Sequence, residues 1–516
     1  MGDRPTRRSF IRRTGAALLT ALGVGRGAPA FARGADAQPP AGEPAAATQE
    51  ARPLLATPEA LFRPTATGCT VQWVPEGVVE ARVMAGSEPG RLELVSESTS
   101  AEPSEVEIGG FAPDSEIHLQ CWFRRQGDRD WVKRPVRRVH SARAPGSTYR
   151  IALIADSHQY AFGEHSGAKK NLGQTITAVL ADRPDFVVFL GDEAGIHHLK
   201  DRRRSLSRES ADFRWASWRL AFAPLLAAVP SCIALGNHEG EAGFYQHVPR
   251  RHGSAYLQRW GTIARKRYCR NPSFATYPEG GENENWIGDQ DSPATGGAAD
   301  GNCSPLENYY AWTWGDALFV VLDVHRYTNI GGLRPNVVEQ WTLGKAQLQW
   351  FERVLTGSRA RWKFVVAHHL VGGYAWDLDG TSRATDYVYG RGGARYARVG
   401  EQDRITQIMK QVGAQFFLYG HDHMFAHRQA EGIHFVCCGR PTWLSAAWWE
   451  TPGWREAYGD AAARDPHDFY GAIGYTRLTV GPDEARIQYL RTATDPKGTE
   501  NVSTPVGQVV HEFAVS

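Results

Sequence analysis

Ser231-Cys232-Ile233-Ala234-Leu235-Gly236-Asn237-His238-Glu239 passes within nine residues from an apolar run to a glycine, an amide, an imidazole and a carboxylate. A short apolar run bounded by a turn residue reads as a strand buried on both faces, so its polar tip stands at the strand's carboxyl end. Four other segments share this construction. Ile151–Ala155 leads to Asp156-Ser157-His158, and Phe186–Leu190 leads to Gly191-Asp192. Phe364–Ala367 leads to His368-His369, and Phe416–Tyr419 to Gly420-His421-Asp422-His423. Between them lie amphipathic stripes: Leu172, Ile176, Val179 and Leu180; Trp218, Phe222, Leu225 and Leu226; Ile405, Ile408, Met409 and Val412. These fall on one face at helical spacing and read as packing surfaces. Strands alternating with helices predict an α/β domain. Ligand sites in open α/β sheets assemble at the carboxyl ends of the strands, so five such loops can build one site.

The residue types decide what that site binds. Asp, Asn and imidazole are oxygen and nitrogen donors suited to Mn, Zn, Fe or Co, and no cysteine belongs to the set. So many donors exceed what one tetrahedral ion takes and suit two divalent transition-metal ions sharing a carboxylate. Asp-x-His alone means little, since it begins at Asp156, Asp323 and Asp465. Gly-Asn-His-Glu and Gly-His-x-His in one order are far rarer by chance. His238, beside Asn237, is placed to give a proton to a leaving group or to stabilise its charge.

In this order the blocks Asp156-x-His158, Gly191-Asp192, Gly236-Asn237-His238-Glu239, His368 and Gly420-His421-x-His423 resemble those of the calcineurin-like metallophosphoesterases, over about residues 149–440. The resemblance implies an αββα sandwich of two packed sheets flanked by helices, with a dinuclear centre at the sheet edge. It implies that Asp156, His158, Asp192 and His423 hold one ion and Asp192, Asn237, His368 and His421 the other, with Asp192 as bridge. It also implies hydrolysis of a phosphate ester by in-line attack of a hydroxide shared by the ions, with His238 as the catalytic histidine. Purple acid phosphatases are similar in layout but carry a tyrosine three residues after the bridging aspartate, where this chain has Gly195, and no histidine in the first block, where it has His158. A tyrosinate-bound ferric ion is therefore not expected. Much of the family reads His-x-Pro in the fourth block, whereas this chain reads His368-His369-Leu370; choosing His368 over His369 rests on register. A phosphomonoesterase is the first expectation and a phosphodiesterase on the same site the second. A non-catalytic binding protein on this fold would be expected to have lost ligands, and this chain retains them.

Outward from this domain, about Thr57 to Ala144 alternates in strand fashion, as in Thr70–Val74 and Ile117–Trp122, and predicts a small all-β sandwich. Trp73 before the turn Pro75-Glu76-Gly77, and Phe111–Ser115 leading into the Ile117 strand, look like a fibronectin type III-like domain. The breaker Ala144-Pro145-Gly146 sets the second domain at 147–516. Cys69 and Cys121 read either as a bridge across the sandwich or as buried thiols. Residues 1–32, with Thr6-Arg7-Arg8-Ser9-Phe10-Ile11-Arg12, an apolar stretch Gly15–Val24 and Ala30-Phe31-Ala32, resemble a twin-arginine export signal. That implies a periplasmic or secreted protein; residues 33–56 then read as a flexible linker.

The chain has 516 residues, with 58 Lys+Arg against 56 Asp+Glu; without residues 1–32 the count is 52 against 55, a net −3. No nucleic-acid-binding field follows from that balance. No apolar run reaches the roughly 18 residues of a membrane span, and seven cysteines are too few for a disulfide scaffold. Oligomeric state is not legible here. About 239–308 reads as an insertion into the second domain, with Cys269 and Cys303 as a possible clip and Tyr245, His247 and Tyr256 as surface residues or substrate contacts. Arg391, Arg395 and the run Asp201–Arg204 read as solvated charges first and substrate clamps second. Asp323 reads as a site-edge or structural residue.

Overall fold

Strands with no polar face need cover on both sides, and the fold supplies it in four layers. The computed structural model describes residues 53–160, 165, 167–196, 208–239, 257–272, 307–323, 343–368, 399–421, 423–444 and 469–516. The expected export signal, most of the linker, most of the insertion, His369, Asp422, Arg391, Arg395 and Asp201–Arg204 lie outside these residues.

The first strands are β1 (Leu55–Thr65), β2 (Gly68–Pro75), β3 (Val79–Glu88), β4 (Arg91–Ser100), β5 (Ser104–Ile108), β6 (Glu116–Arg125), β7 (Val132–Lys133) and β8 (Arg137–His140). They are followed by β9 (Tyr149–Ile154), helix α1 (Ala168–Asp182), β10 (Phe186–Phe189), α2 (Arg208–Ala221), α3 (Ala223–Leu226), β11 (Ser231–Ile233) and α4 (Leu257–Tyr268). Helix α1 stops where Arg183 turns left-handed (φ 49°), and Pro184 cannot continue it. β9, β10 and β11 pair in parallel. Their helical crossovers therefore bring Asp156, Asp192 and Asn237 to one edge.

The second sheet holds β12 (Tyr310–Trp314), β13 (Ala317–Val321), β14 (Trp362–Val366), β15 (Phe416–Tyr419), β16 (Phe425–Ala430), β17 (Ile433–Cys438) and β18 (Phe469–Tyr470), in the order β12-β13-β14-β15-β17-β16-β18. Helices α5 (Gly344–Gly357) and α6 (Val399–Gln411) accompany it. Strands β19 (Ile473–Val480), β20 (Ala485–Ala493) and β21 (Val509–Val515) return to the first sheet, whose order is β21-β20-β19-β9-β10-β11-β1-β2-β5.

Residue parity shows the layering. Ile151, Leu153, Phe186 and Val188 face Phe319, Phe364, Phe416 and Val436 in a core between the sheets. Their neighbours Ala152, Ile154, Val187 and Phe189 pack outward on Leu172, Ile176, Trp215, Trp218 and Phe222 of the helices. Leu318, Val320, Val365 and Phe417 pack outward on Phe351, Leu355, Ile405 and Ile408. This is the expected two-sheet sandwich flanked by helices, and each fully buried large apolar side chain contributes roughly 1.5–3 kcal/mol.

The N-terminal strands do more than form a sandwich of their own. β1 begins at Leu55, inside the stretch read as linker, and pairs in parallel with β11 at Phe62 and Ser231. Leu61, Val71 and Trp73 of β1 and β2 face Val83, Leu119, Cys121 and Phe123 across the small core. Ala60, Phe62 and Val74 face the helices of the larger layer. Two strands thus serve two cores, and Arg52–Ser516 forms one compact unit. Cys69 and Cys121 are buried, unbridged thiols; burial pushes the Cys69 thiol up to about 12. No helix among the described residues is long and apolar enough to cross a membrane.

Arg219 of α2 ties this junction. It is fully buried, and its guanidinium donates to the Gln72 side chain (2.8 Å) and carbonyl (2.6 Å), to the Pro58 carbonyl (3.0 Å) and to the Tyr268 carbonyl (2.9 Å). Arg219→Met keeps much of the volume but strands four buried acceptors. Each orphaned acceptor costs about 1 kcal/mol or more, part of it offset because the buried charge goes too. We expect a loss of about 2–4 kcal/mol by urea denaturation; a loss under about 0.5 kcal/mol would show that the junction does not depend on this residue.

Candidate metal centre

Strand ends turn sharply here. Asp156 (φ 54°), His158 (42°), Asp192 (60°), His421 (73°) and His423 (62°) all adopt left-handed backbone, which non-glycine residues rarely do and which costs on the order of 1 kcal/mol each. Such strain persists only where the surroundings over-determine it. Backbone bonds knit the loops together: Asp156 N–H donates to the Gly191 carbonyl (3.0 Å), His158 N–H to that of Asp192 (3.1 Å) and Gly420 N–H to that of His368 (3.0 Å).

The side chains form two groups that share Asp192. In the first, His158 Nε2 lies 3.6 Å from Asp156 Oδ1, 3.6 Å from Asp192 Oδ2 and 2.9 Å from His423 Nε2. In the second, His368 Nε2 lies 3.3 Å from Asp192 Oδ2, 3.1 Å from Asn237 Oδ1 and 3.2 Å from His421 Nδ1. His368 Nδ1 reaches the Leu190 carbonyl at 2.6 Å; as a carbonyl only accepts, that nitrogen carries the proton and Nε2 is left as a donor atom for a ligand. The structure thus brings together all seven residues named from the sequence as metal ligands.

Asp192 is oriented from both ends. Its Oδ1 accepts from the His238 backbone N–H (2.8 Å), while Oδ2 faces both groups. Asp156 Oδ2 likewise accepts from the His421 backbone N–H (2.7 Å). Asp156 Oδ1 and Asp192 Oδ2 are buried and have no hydrogen-bond partner among the described residues. Buried carboxylate oxygens are normally satisfied, and both of these point where cations would sit.

Electrostatics agrees. Burial, helped by the charge of Asp192 and opposed by His368, pushes the Asp156 carboxyl well above the carboxylate range. Burial and then Asp192 push Glu239 up to about 7. Burial alone would lower the His368 imidazole, but Asp192, Asp156 and Glu239 outweigh it and raise it to about 10. Carboxyls pushed up by burial and by one another, and a histidine pushed up by the carboxylates around it, mark a buried site with an excess of negative charge. Two divalent cations on these oxygen and nitrogen donors would offset it.

Three residues support the site in ways that the sequence did not reveal. Glu239, read only as part of its motif, accepts from the backbone N–H groups of Asp192 (3.0 Å), Glu193 (2.6 Å), Ala194 (3.1 Å) and Gly236 (2.5 Å). It clamps the loop after β10 to the loop after β11, which approach so closely that a Cβ on Gly236 would stand 2.3 Å from Asp192 Oδ1. Arg440, buried behind the site, donates to the Asp156 carbonyl (2.8 Å) and lies 4.0 Å from the Trp443 ring. Tyr160 lies between His158 and His238. Beside the near-neighbour contacts Glu239–Gly236, Tyr160–His158 and Arg440–Trp443, these residues act across 47, 78 and 284 positions, where no local sequence pattern can register them.

His238 stands beside the two groups, with Nε2 3.6 Å from Asp192 Oδ2, and remains partly open to solvent. Asp323 is tied into the scaffold through Asn308 (2.9 Å) and Gln347 (2.9 Å). The insertion's described ends are fastened to β11, where Asn271 pairs with both backbone groups of Ile233 and with the Glu307 carbonyl.

Residues 149–425 match the model of the calcineurin-like phosphoesterase family. Among solved structures, PhoD aligns over 91% of this chain and 91% of its own at a TM-score of 0.60 and 16% identity. Purple acid phosphatase PPD1 from yellow lupin (Lupinus luteus) seeds aligns over 90% of this chain and 75% of its own at 0.54 and 14%. At such identities the likeness is one of fold. No curated protein matches the sequence.

Proposed function

We propose, from the premise that the chain belongs to the calcineurin-like phosphoesterase family, that it is an exported phosphomonoesterase with a dinuclear metal centre. One observation carries this reading: two groups of donor atoms share the single buried oxygen Asp192 Oδ2. Asp156, His158, Asp192 and His423 would hold one ion, and Asp192, Asn237, His368 and His421 the other. Such ions, when bound, make hydroxide available near neutral pH and neutralise phosphoryl oxygens.

The chain's own residues do the rest. Asp192 presents one oxygen to both groups because its other oxygen is held by the His238 backbone N–H. His368 keeps Nε2 toward the site because the Leu190 carbonyl holds its other nitrogen. Glu239 keeps the two loops in register, which fixes the separation of Asp192 and Asn237. His238 gives a proton from Nε2 to the departing ester oxygen, the role its place beside Asp192 allows. Export rests on residues 1–32, whose paired arginines, apolar stretch and Ala30-Phe31-Ala32 resemble a twin-arginine signal.

Elemental analysis of the purified protein, with rates for an aryl phosphomonoester and an aryl phosphodiester on the same sample, tests the reading. About two transition-metal ions per chain with monoester preference is the expected result. Diester preference would move the assignment to a phosphodiesterase. Neither metal nor turnover after supply of Mn or Zn would overturn the enzyme reading.

A further inference from the structure

Between the candidate ligand His158 and the candidate proton donor His238 stands one hydroxyl. Tyr160 Oη is hydrogen-bonded to His158 Nδ1 and lies 2.6 Å from His238 Nδ1. The ring has room because residue 195 is glycine: a Cβ there would stand 2.0 Å from Tyr160 Cδ1, and the backbone is left-handed (φ 58°). Ile196, next along, donates its backbone N–H to the His238 carbonyl (2.9 Å). From α2, Arg214 donates to the Tyr160 carbonyl (3.4 Å) and lies 5.6 Å from its ring. Tyr160 is thus gripped from two sides.

Proton counting sets the polarity of this chain. His158 turns Nε2 toward Asp156, Asp192 and His423. A neutral imidazole that gives Nε2 to a metal carries its proton on Nδ1, so His158 Nδ1–H donates to Tyr160 Oη. A phenol has one proton, and it is then directed to His238 Nδ1. His238 must accept there and carry its own proton on Nε2, the nitrogen 3.6 Å from Asp192 Oδ2; when Nε2 gives that proton to the leaving oxygen, Nδ1 takes the Tyr160 proton and Oη takes the His158 Nδ1 proton, so His238 is left neutral.

We propose that Tyr160 is a positioning residue that couples the tautomer of His158 to that of His238 and holds the His238 proton on Nε2, facing the reacting phosphate. The inference rests on the reading of His238 as proton donor. Its effect is selective. An alkyl ester needs its leaving oxygen protonated, whereas a nitrophenolate leaves without help, so losing control of the His238 tautomer costs the first more than the second.

The test uses the full chain with 15N-labelled histidine, loaded with zinc, with His238 resonances identified by their loss in H238Q. Proton–nitrogen correlation spectra are expected to show the Nε2–H tautomer of His238 in the wild type and a mixture or the Nδ1–H form in Tyr160→Phe. Zinc content is expected to be unchanged. The fall in kcat on an alkyl phosphate should exceed the fall on p-nitrophenyl phosphate by about tenfold, a fraction of the roughly 10²–10⁴ that a positioned acid supplies, because His238 itself remains. Gly195→Ala, which displaces the ring while keeping the hydroxyl, should change the spectrum in the same sense and keeps the test open if Tyr160→Phe folds poorly.

An unaltered His238 tautomer in both variants would overturn the proposal, as would equal losses on the two esters. A visible tyrosinate charge-transfer band in iron-loaded wild type, absent from Tyr160→Phe, would make Tyr160 a ligand and also overturn it. Full alkyl-ester turnover in His238→Ala would instead sink the proton-donor reading, and the spectra would still decide the coupling.

Discussion

Asp192→Asn is expected to leave the purified protein with less than one tightly held ion per chain and to lower kcat/KM by more than about 10³, a cost of about 4 kcal/mol in transition-state stabilisation. The side chains are nearly isosteric, and Asn can still accept the His238 backbone N–H that now ends on Oδ1. What disappears is the charge on Oδ2, the atom 3.6 Å from His158 Nε2 and 3.3 Å from His368 Nε2. Because both donor groups include that atom, both ions should weaken together, which replacing His423 or His421 alone would not do.

Unfolding is separable from metal loss in this variant. Asp192 is one of the charges that push the buried carboxyls of Asp156, Glu193 and Glu239 upward. Removing it from the metal-free chain relieves that repulsion but also takes a partner from the buried His368, so the metal-free variant should melt close to the metal-free wild type. Two ions retained at wild-type affinity would refute the bridging role. A metal-free variant that melts much lower would show that Asp192 is needed for the fold itself.

His238→Ala makes the opposite demand. It should keep both ions and lose about 10²–10⁴ in turnover on a substrate with a poor leaving group, the range attributed to a positioned acid. His238 belongs to neither donor group, and its backbone N–H, which holds Asp192 Oδ1, survives the change. Elemental analysis and leaving-group dependence together check this. Unchanged turnover on an alkyl phosphate would remove His238 from the mechanism, and lost metal would make it a support of the centre.

The contrast between these variants follows the contrast between what was legible along the chain and what was not. Asp156, His158, Asp192, Asn237, His368, His421 and His423 each end or follow an apolar run, and their types alone announce oxygen and nitrogen ligation. Burial of these strands on both faces was legible for the same reason, since such strands must be apolar at every position, whereas which residue faces which layer was not. Nor was the sharing of β1 and β2 between two cores. Alternation in Thr70–Val74 reads the same whether the second face meets solvent or another layer, and it is the pairing of Phe62 with Ser231, 169 positions along the chain, that makes β1 and β2 part of the first sheet.

Residue type and short spacing therefore determined the α/β class and the candidate oxygen and nitrogen donors at the strand ends, because those depend on local periodicity and on what each side chain can donate. Tertiary structure alone decided how the set is held. Glu239 meets Asp192 across 47 positions, Tyr160 meets His238 across 78, and Arg440 meets the Asp156 carbonyl across 284. A hydrogen bond acts over about 3 Å in space and leaves no period in a sequence, so contacts of that kind exist only once the sheets have packed.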